Sequence, residues 1–302
     1  MSKIQLASLA EITLQALDFF IKTPPRRLRL AARSFPLVVG SGNAYHTAQV
    51  LFAKRRALVA NESTFAQVVS TYRPLIRNKT ITEAIIISAS GSKDSVWEID
   101  LAKQVGLKTI LLTCQKDSPA AQLADQVILY KKIPEPYTYN VSTYLGMILS
   151  STQEDPRFIK KYLKSLRLPD FKKYRAFTFI LPDHLSAVAP MLTIKRDELF
   201  GSQLSLRAFS FGEARHAKFV NPNKHELVIS WGTNQHFGLP ENRYLLKLPA
   251  QAQAGLVMAL SYYLIGKIQE SKPPYFQRNI ANYVKSGPQA YGQKKPFPLV
   301  VD

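Results

Sequence analysis

The sequence predicts an α/β protein of two similar domains, each a parallel sheet flanked by helices. Three observations carry this. From residue 35 onward strand and helix signals alternate, the pattern of a parallel sheet with helical crossovers. The strand signals are short β-branched runs that end in small polar loops and pass into helices. Pro134 and Pro136 interrupt the alternation, which resumes near Tyr174 and gives a faint internal repeat at ~140 residues, too long for a solenoid.

The elements follow in order. Leu6, Leu9, Ala16, Leu17 and Phe20 fall at helical spacing among Glu11, Gln15 and Asp18, so Met1 to Phe20 reads as an amphipathic helix and not a signal peptide. Strands are expected at Leu37–Val39, Ala57–Val59, Ala84–Ile87, Thr109–Leu112 and Gln126–Leu129. Helices are expected at Tyr45–Lys54, Thr64–Arg73, Ser95–Val105 and Ala120–Asp125, with Gly106 ending the third. Residues Tyr137 to Leu168 read as helical, with Pro156 opening a second segment at its first turn. In the second domain Ala176–Leu181, Leu204–Phe209, His225–Ser230 and Tyr244–Leu248 are expected strands. Leu185–Phe200 and Ala252–Gln269 are expected helices, and the tail from Ser271 is rich in proline and aromatics.

Composition bounds the function. The 302 residues are 46% apolar and 20% charged, an ordinary globular balance able to bury a core. No apolar run approaches the ~18 residues of a membrane span, and the cytoplasm is the expected compartment. Cys114 is the single cysteine, which leaves no disulfide framework and no cysteine metal site. No His/Asp/Glu spacing suggests a metal. The 40 Lys+Arg outnumber the 21 Asp+Glu, for a net charge of +19. These cations lie in short groups such as Lys54-Arg55-Arg56 and Lys160-Lys161, without zinc-finger or RNA-binding signatures. Nucleic acid is therefore not the expected main partner, and the field favours encounter with anionic substrates.

Two loops carry the chemistry: Gly40-Ser41-Gly42-Asn43 after the first strand, and Ser88-Ala89-Ser90-Gly91-Ser92-Lys93 after the third. Hydroxyls and backbone N–H groups at a helix N-terminus bind phosphate. A helix cap alone would explain one serine, whereas here three stand within five residues and a lysine follows. Ser41, Gly42, Asn43, Ser88, Ser90, Ser92 and Lys93 are thus the expected phosphate- and sugar-binding residues. The loop Leu181-Pro182-Asp183-His184 has neither glycine nor serine, so one phosphate site per chain is expected.

The first domain resembles the sugar isomerase (SIS) domain. Gly40-Ser41-Gly42-Asn43-Ala44-Tyr45-His46 is similar to that family's Gly-x-Gly-x-Ser-Tyr-His, and Ser88 to Lys93 to its Ser-x-Ser-Gly-x-Thr. Ala102-Lys103-Gln104-Val105-Gly106 is similar to its Ala-Lys-x-x-Gly. The second half resembles double-SIS sugar-phosphate isomerases through Lys195-Arg196-Asp197-Glu198, Gly212-Glu213-Ala214-Arg215-His216 and Arg278-Asn279-Ile280. Departures are Ala44 for serine, Lys93 for threonine, a Glu198-to-His216 spacing two residues longer than expected, and Asn282 where a lysine is usual, with Lys285 three residues on.

The resemblance implies two Rossmann-like (flavodoxin-like) SIS subdomains. Their boundaries are an N-terminal helix 1–29, a first SIS domain 30–133, a helical connector 134–172, a second SIS domain 173–270, and a tail 271–302 that closes the active site. It implies a cofactor-independent aldose–ketose isomerase of hexose 6-phosphates, of the phosphoglucose/phosphomannose type, acting as a homodimer. The implied roles are Glu198 as the proton-transfer base, His216 as the ring-opening acid/base and Lys285 as an accessory cation. Glu213 is the rival carboxylate. His46 is expected to pack its helix. The alternative reading is a sugar-phosphate sensor without turnover.

Overall fold

The computed structural model describes residues 6–30, 34–217 and 221–302. The chain divides into two compact units. The first comprises 24–132 and 142–153; the second comprises 1–23, 133–141 and 154–302.

Chain order begins with helix α1 (Leu9–Lys22) of the second unit, opened by a capping box in which Ser8 and Glu11 exchange hydrogen bonds. The first unit then builds β1 (Leu37–Gly40), α2 (Asn43–Phe52), β2 (Leu58–Ala60), α3 (Phe65–Thr71), α4 (Arg73–Arg77) and β3 (Glu83–Ile87). It continues with α5 (Asp94–Gln104), β4 (Lys108–Thr113), α6 (Pro119–Leu123) and β5 (Gln126–Leu129). All five strands are parallel, in the order β2-β1-β3-β4-β5. β1 and the body of β3 are buried on both faces, which explains their uninterrupted apolar runs. Leu37, Val39, Ile86 and Leu111 of the sheet pack with Phe65 and Ile99 of the covering helices. The expected helix Thr64–Arg73 is two short helices that divide at Tyr72. Pro74 lacks the N–H that a continuous helix would need there.

The strand order reverses at β1, which has β2 on one side and β3 on the other. Ligands of open α/β sheets bind at such a switch point, outside the carboxyl ends of the strands. Both loops singled out by the sequence start there, one from β1 and one from β3.

After β6 (Glu135–Pro136) come α7 (Val141–Thr152) and α8 (Pro156–Ser165). The second unit adds β7 (Ala176–Leu181), a 3-10 turn over Asp183–Val188, α9 (Ala189–Phe200), β8 (Ser205–Ser210), α10 (Phe211–Ala217), β9 (Glu226–Trp231) and β10 (Arg243–Leu246). It ends with α11 (Ala254–Ser271), α12 (Tyr275–Ser286) and β11 (Val300–Val301), which pairs antiparallel with β6. The four main strands are parallel in the order β10-β9-β7-β8. Read from the other edge, this repeats the first four strands of the first sheet, so the faint sequence repeat is real in topology. The expected helix Leu185–Phe200 starts as the 3-10 turn and becomes α-helical only from Ala189. Apolar α11 is buried on nearly all sides, and the Glu154 carboxylate receives the N–H groups of Gln253, Gly255 and Leu256 at its start. Among the described residues no helix is long and apolar enough to cross a membrane.

Candidate functional site

In the first unit, β3 delivers the chain into the loop Ser88–Lys93, and α5 starts at Asp94. The Ser88 hydroxyl accepts the Gly91 N–H at 3.1 Å and closes a tight turn. Gly91 has φ +58°, and a Cβ there would fall 2.0 Å from Ser118 Oγ, so only glycine fits. The Ser90 and Ser92 hydroxyls lie 2.7 Å apart. None of these serines caps α5: the N-cap is Lys93, which makes no side-chain cap bond. Lys93 adopts φ +59°, ψ −124°, a strained conformation for a lysine, and Gly42 at the start of α2 adopts φ +54°, ψ −122°. The two loops thus present their helix starts with the same backbone geometry.

Ser41 Oγ donates to Asp94 Oδ2 at 3.1 Å, which ties the β1 loop to the β3 loop across the switch point. Asn43 is buried, and its Oδ1 has no hydrogen-bond partner. Burial lowers the proton affinity of the half-buried Lys93 ammonium, opposed by Asp94. Ser41, Gly42, Asn43, Ser88, Ser90, Ser92 and Lys93 are all brought to one edge of one sheet. Hydroxyls, two helix N-termini and one lysine there suit an oxyanion. His46, in the first turns of α2, packs edge-on against Tyr45 and bonds Gln49 at 2.9 Å, in line with a packing role.

Residues 36–151 match the SIS domain. The SIS match spans the whole first sheet and both loops. No curated protein sequence matches the chain. Similarity to solved structures extends over both units. A tagatose-6-phosphate ketose/aldose isomerase from Escherichia coli has a TM-score of 0.56 at 13% identity, covering 89% of this chain and 90% of that one. The C-terminal domain of a glucosamine-fructose-6-phosphate aminotransferase from Francisella tularensis has a TM-score of 0.56 at 13% identity, covering 86% and 94%. A glucosamine-6-phosphate deaminase from Thermotoga maritima has a TM-score of 0.54 at 16% identity, covering 88% and 95%. At these identities the likeness concerns the fold.

In the second unit the charged run of α9 divides between the two faces of the helix. Arg196 and Asp197 pair with each other on the outside, with side chains 30% and 60% exposed. Lys195 is fully buried, and its Nζ donates to Glu198 Oε2 at 2.5 Å and to the Thr138 carbonyl at 2.7 Å. The same ammonium lies 5.6 Å from the Tyr262 ring centroid. Thr138 holds its carbonyl there from a strained φ of +77°. Glu198 lines a cavity of about 300 Å³ with Thr138, Asp197 and, from α12, Tyr275, Phe276, Asn279, Ile280 and Tyr283. Burial pushes the Glu198 carboxyl up from its ordinary value, and Lys195 and Thr138 pull it back. Its negative charge in turn raises Tyr137, Tyr139 and Tyr283, although burial is the larger cause for each.

Glu213 makes a capping box instead. Its carboxylate accepts the Ser210 N–H at 2.7 Å, and its own N–H donates to Ser210 Oγ at 3.2 Å. That carboxylate holds the start of α10. His216 is exposed in the last turn of α10, and Lys285 is exposed in the last turn of α12. Neither lines the cavity of Glu198. Lys195, Tyr275 and Tyr283 are not among the site residues that the sequence predicts. The signal available was the i, i+3 spacing of Lys195 and Glu198, together with the helical period of Tyr275, Asn279 and Tyr283 in a segment read only as a tail.

Proposed function

We propose that this protein is a cofactor-independent aldose–ketose isomerase of hexose 6-phosphates, working as a homodimer in the cytoplasm. In this reading Ser88, Ser90, Ser92 and Lys93, with Ser41, Gly42 and Asn43, take the phosphate. Glu198 removes the proton from C2 of the open-chain aldose and returns it to C1, while the proton of the C2 hydroxyl passes to O1. The enediol between them needs no metal or redox partner to form. The observation that supports the assignment best is Glu198 itself, a carboxylate that lines a cavity and whose proton affinity burial raises. His216, outside the cavity of its own chain, is assigned ring opening in the site of the second copy, and Lys285 is the accessory cation.

Purified protein given glucose 6-phosphate or mannose 6-phosphate is expected to form fructose 6-phosphate, with solvent deuterium entering the product. Glu198→Gln is expected to lower kcat by about 10²–10⁴-fold with little change in substrate binding. Return of every hexose phosphate unchanged by a protein that binds them excludes turnover. It leaves the second reading, a sugar-phosphate sensor. The 2.5 Å Lys195–Glu198 pair and the exposed His216 favour that reading, since a carboxylate engaged by lysine is a weaker base. Sedimentation of the protein as a monomer at assay concentration removes the role given to His216.

A further inference from the structure

Glu98 stands on α5 one helical turn after Asp94. Its side chain is 1% exposed, and its Oε1 has no hydrogen-bond partner. Nothing in the reaction proposed above uses it. An ionised carboxyl buried without a donor costs far more than the neutral acid does. The charged groups that bear on it are Asp94 of its own helix and Glu62, which precedes α3, both negative. Glu62 in turn bears on His46 of α2. Lys93, at the start of α5, bears on Asp94. Helices α3 and α6 and strands β3 and β4 pack against α5. The two helices carry no ionisable side chain, and the charges of the strands, Glu83 and Lys108, stand at their N-terminal ends. Burial, Asp94 and Glu62 together push the Glu98 carboxyl up to about 8.

The placement matters because of what sits above it. Asp94 opens α5 and accepts the Ser41 hydroxyl, so it joins the two anion loops. A negative charge one turn below opposes the positive end of α5 and repels both Asp94 and any dianion held at the loops. We propose that Glu98 is a positioning residue of the anion site: as the neutral acid it lets the loops hold a phosphate dianion, and as the carboxylate it drives the dianion off. This rests on the phosphate role given above to Ser88–Lys93.

Calorimetric titration with glucose 6-phosphate at pH 7 and pH 9.5 tests it, because a phosphate monoester (second pKa about 6) is a dianion at both. With circular dichroism showing wild type folded at both pH values, its affinity is expected to fall about tenfold or more between them, an interaction of at least ~1.4 kcal/mol. Glu98→Gln, which cannot ionise, is expected to bind within about twofold of the same affinity at both. Should the glutamine variant fail to fold, Glu98→Leu replaces it with the same expectation. Equal wild-type affinity at pH 7 and pH 9.5 overturns the proposal and leaves the phosphate loop intact. An alkaline loss that persists in the variant assigns the effect to another group, Lys93 first, and also overturns it. Absence of binding by wild type at pH 7 removes the loop reading, and this proposal with it.

Discussion

The two sheets share a strand order but end differently at equivalent places. β7 takes the place of β1 and β9 that of β3, since each central pair has the same neighbours. After β1, Ser41-Gly42-Asn43 enters α2; after β7, Pro182-Asp183 enters a 3-10 turn. Asp183 Oδ1 accepts the Gly212 N–H at 2.6 Å, so the chain's own carboxylate already satisfies a donor near the start of α10. After β3 the serine loop opens an 11-residue helix. After β9 the chain returns to β10 without an α-helix, and Asn234 organises the loop by accepting the N–H groups of His236 and Phe237 and donating to the Phe237 carbonyl. Topology therefore supplies a switch point in both units, but among the described residues the loop of three serines that opens a helix belongs to the first. The counterpart of the serine loop is the loop after β9, whereas Leu181–His184 is the counterpart of the loop after β1.

Several changes would break or sharpen this contrast. The largest effect is expected at Glu98. The folded state holds its proton up to about 8 against an ordinary value of 4.5. Its contribution to stability is therefore complete below the ordinary value and is lost as pH rises toward the folded one. The full span corresponds to on the order of 5 kcal/mol. Denaturant titrations across that range are expected to slope downward for wild type and to be flatter for Glu98→Gln, which gains stability above pH 8. Gly91→Ala follows at about 3 kcal/mol, through the Ser118 clash and the positive φ. Gly42→Ala has a positive φ but nothing within 4 Å of the new Cβ, so about 1 kcal/mol is expected. Paired unfolding curves that reverse this order would refute the geometry given for the loop. Asp183→Ala is expected to lower stability by about 1–2 kcal/mol without altering phosphate binding. Smallest is Glu213→Gln, about 0.5 kcal/mol by the same measurement, because an amide oxygen still reaches the Ser210 N–H.

Much of the fold could be read from local chemistry. Gln126–Leu129 and Ala176–Leu181 start and stop as expected, since polar or proline-bearing loops bracket both runs. The helix α12 is hard to read from the sequence because Pro273-Pro274 and a high aromatic content resemble an irregular tail. Those prolines precede the helix, where a missing N–H costs little. At the site, the loop residues were legible because glycine and serine have few other reasons to cluster after a buried strand. The α9 charges were not. Lys195-Arg196-Asp197-Glu198 reads as a solvated face, and only tertiary packing decides that Lys195 is buried and pairs with Glu198 while Arg196 pairs with Asp197. His216 rests on the motif alone, and the structure shows it exposed in the last turn of a short helix.

The central claim is that the loop after β3 is a phosphate site. Titration of glucose 6-phosphate into wild type and into Ser88→Ala/Ser90→Ala/Ser92→Ala at neutral pH tests it most directly. The account predicts a measurable heat for wild type and an affinity at least ~10-fold weaker for the triple variant, since each lost hydroxyl bond to a charged ligand is worth roughly 1 kcal/mol or more. Equal binding by the two proteins, with the variant folded, would contradict it.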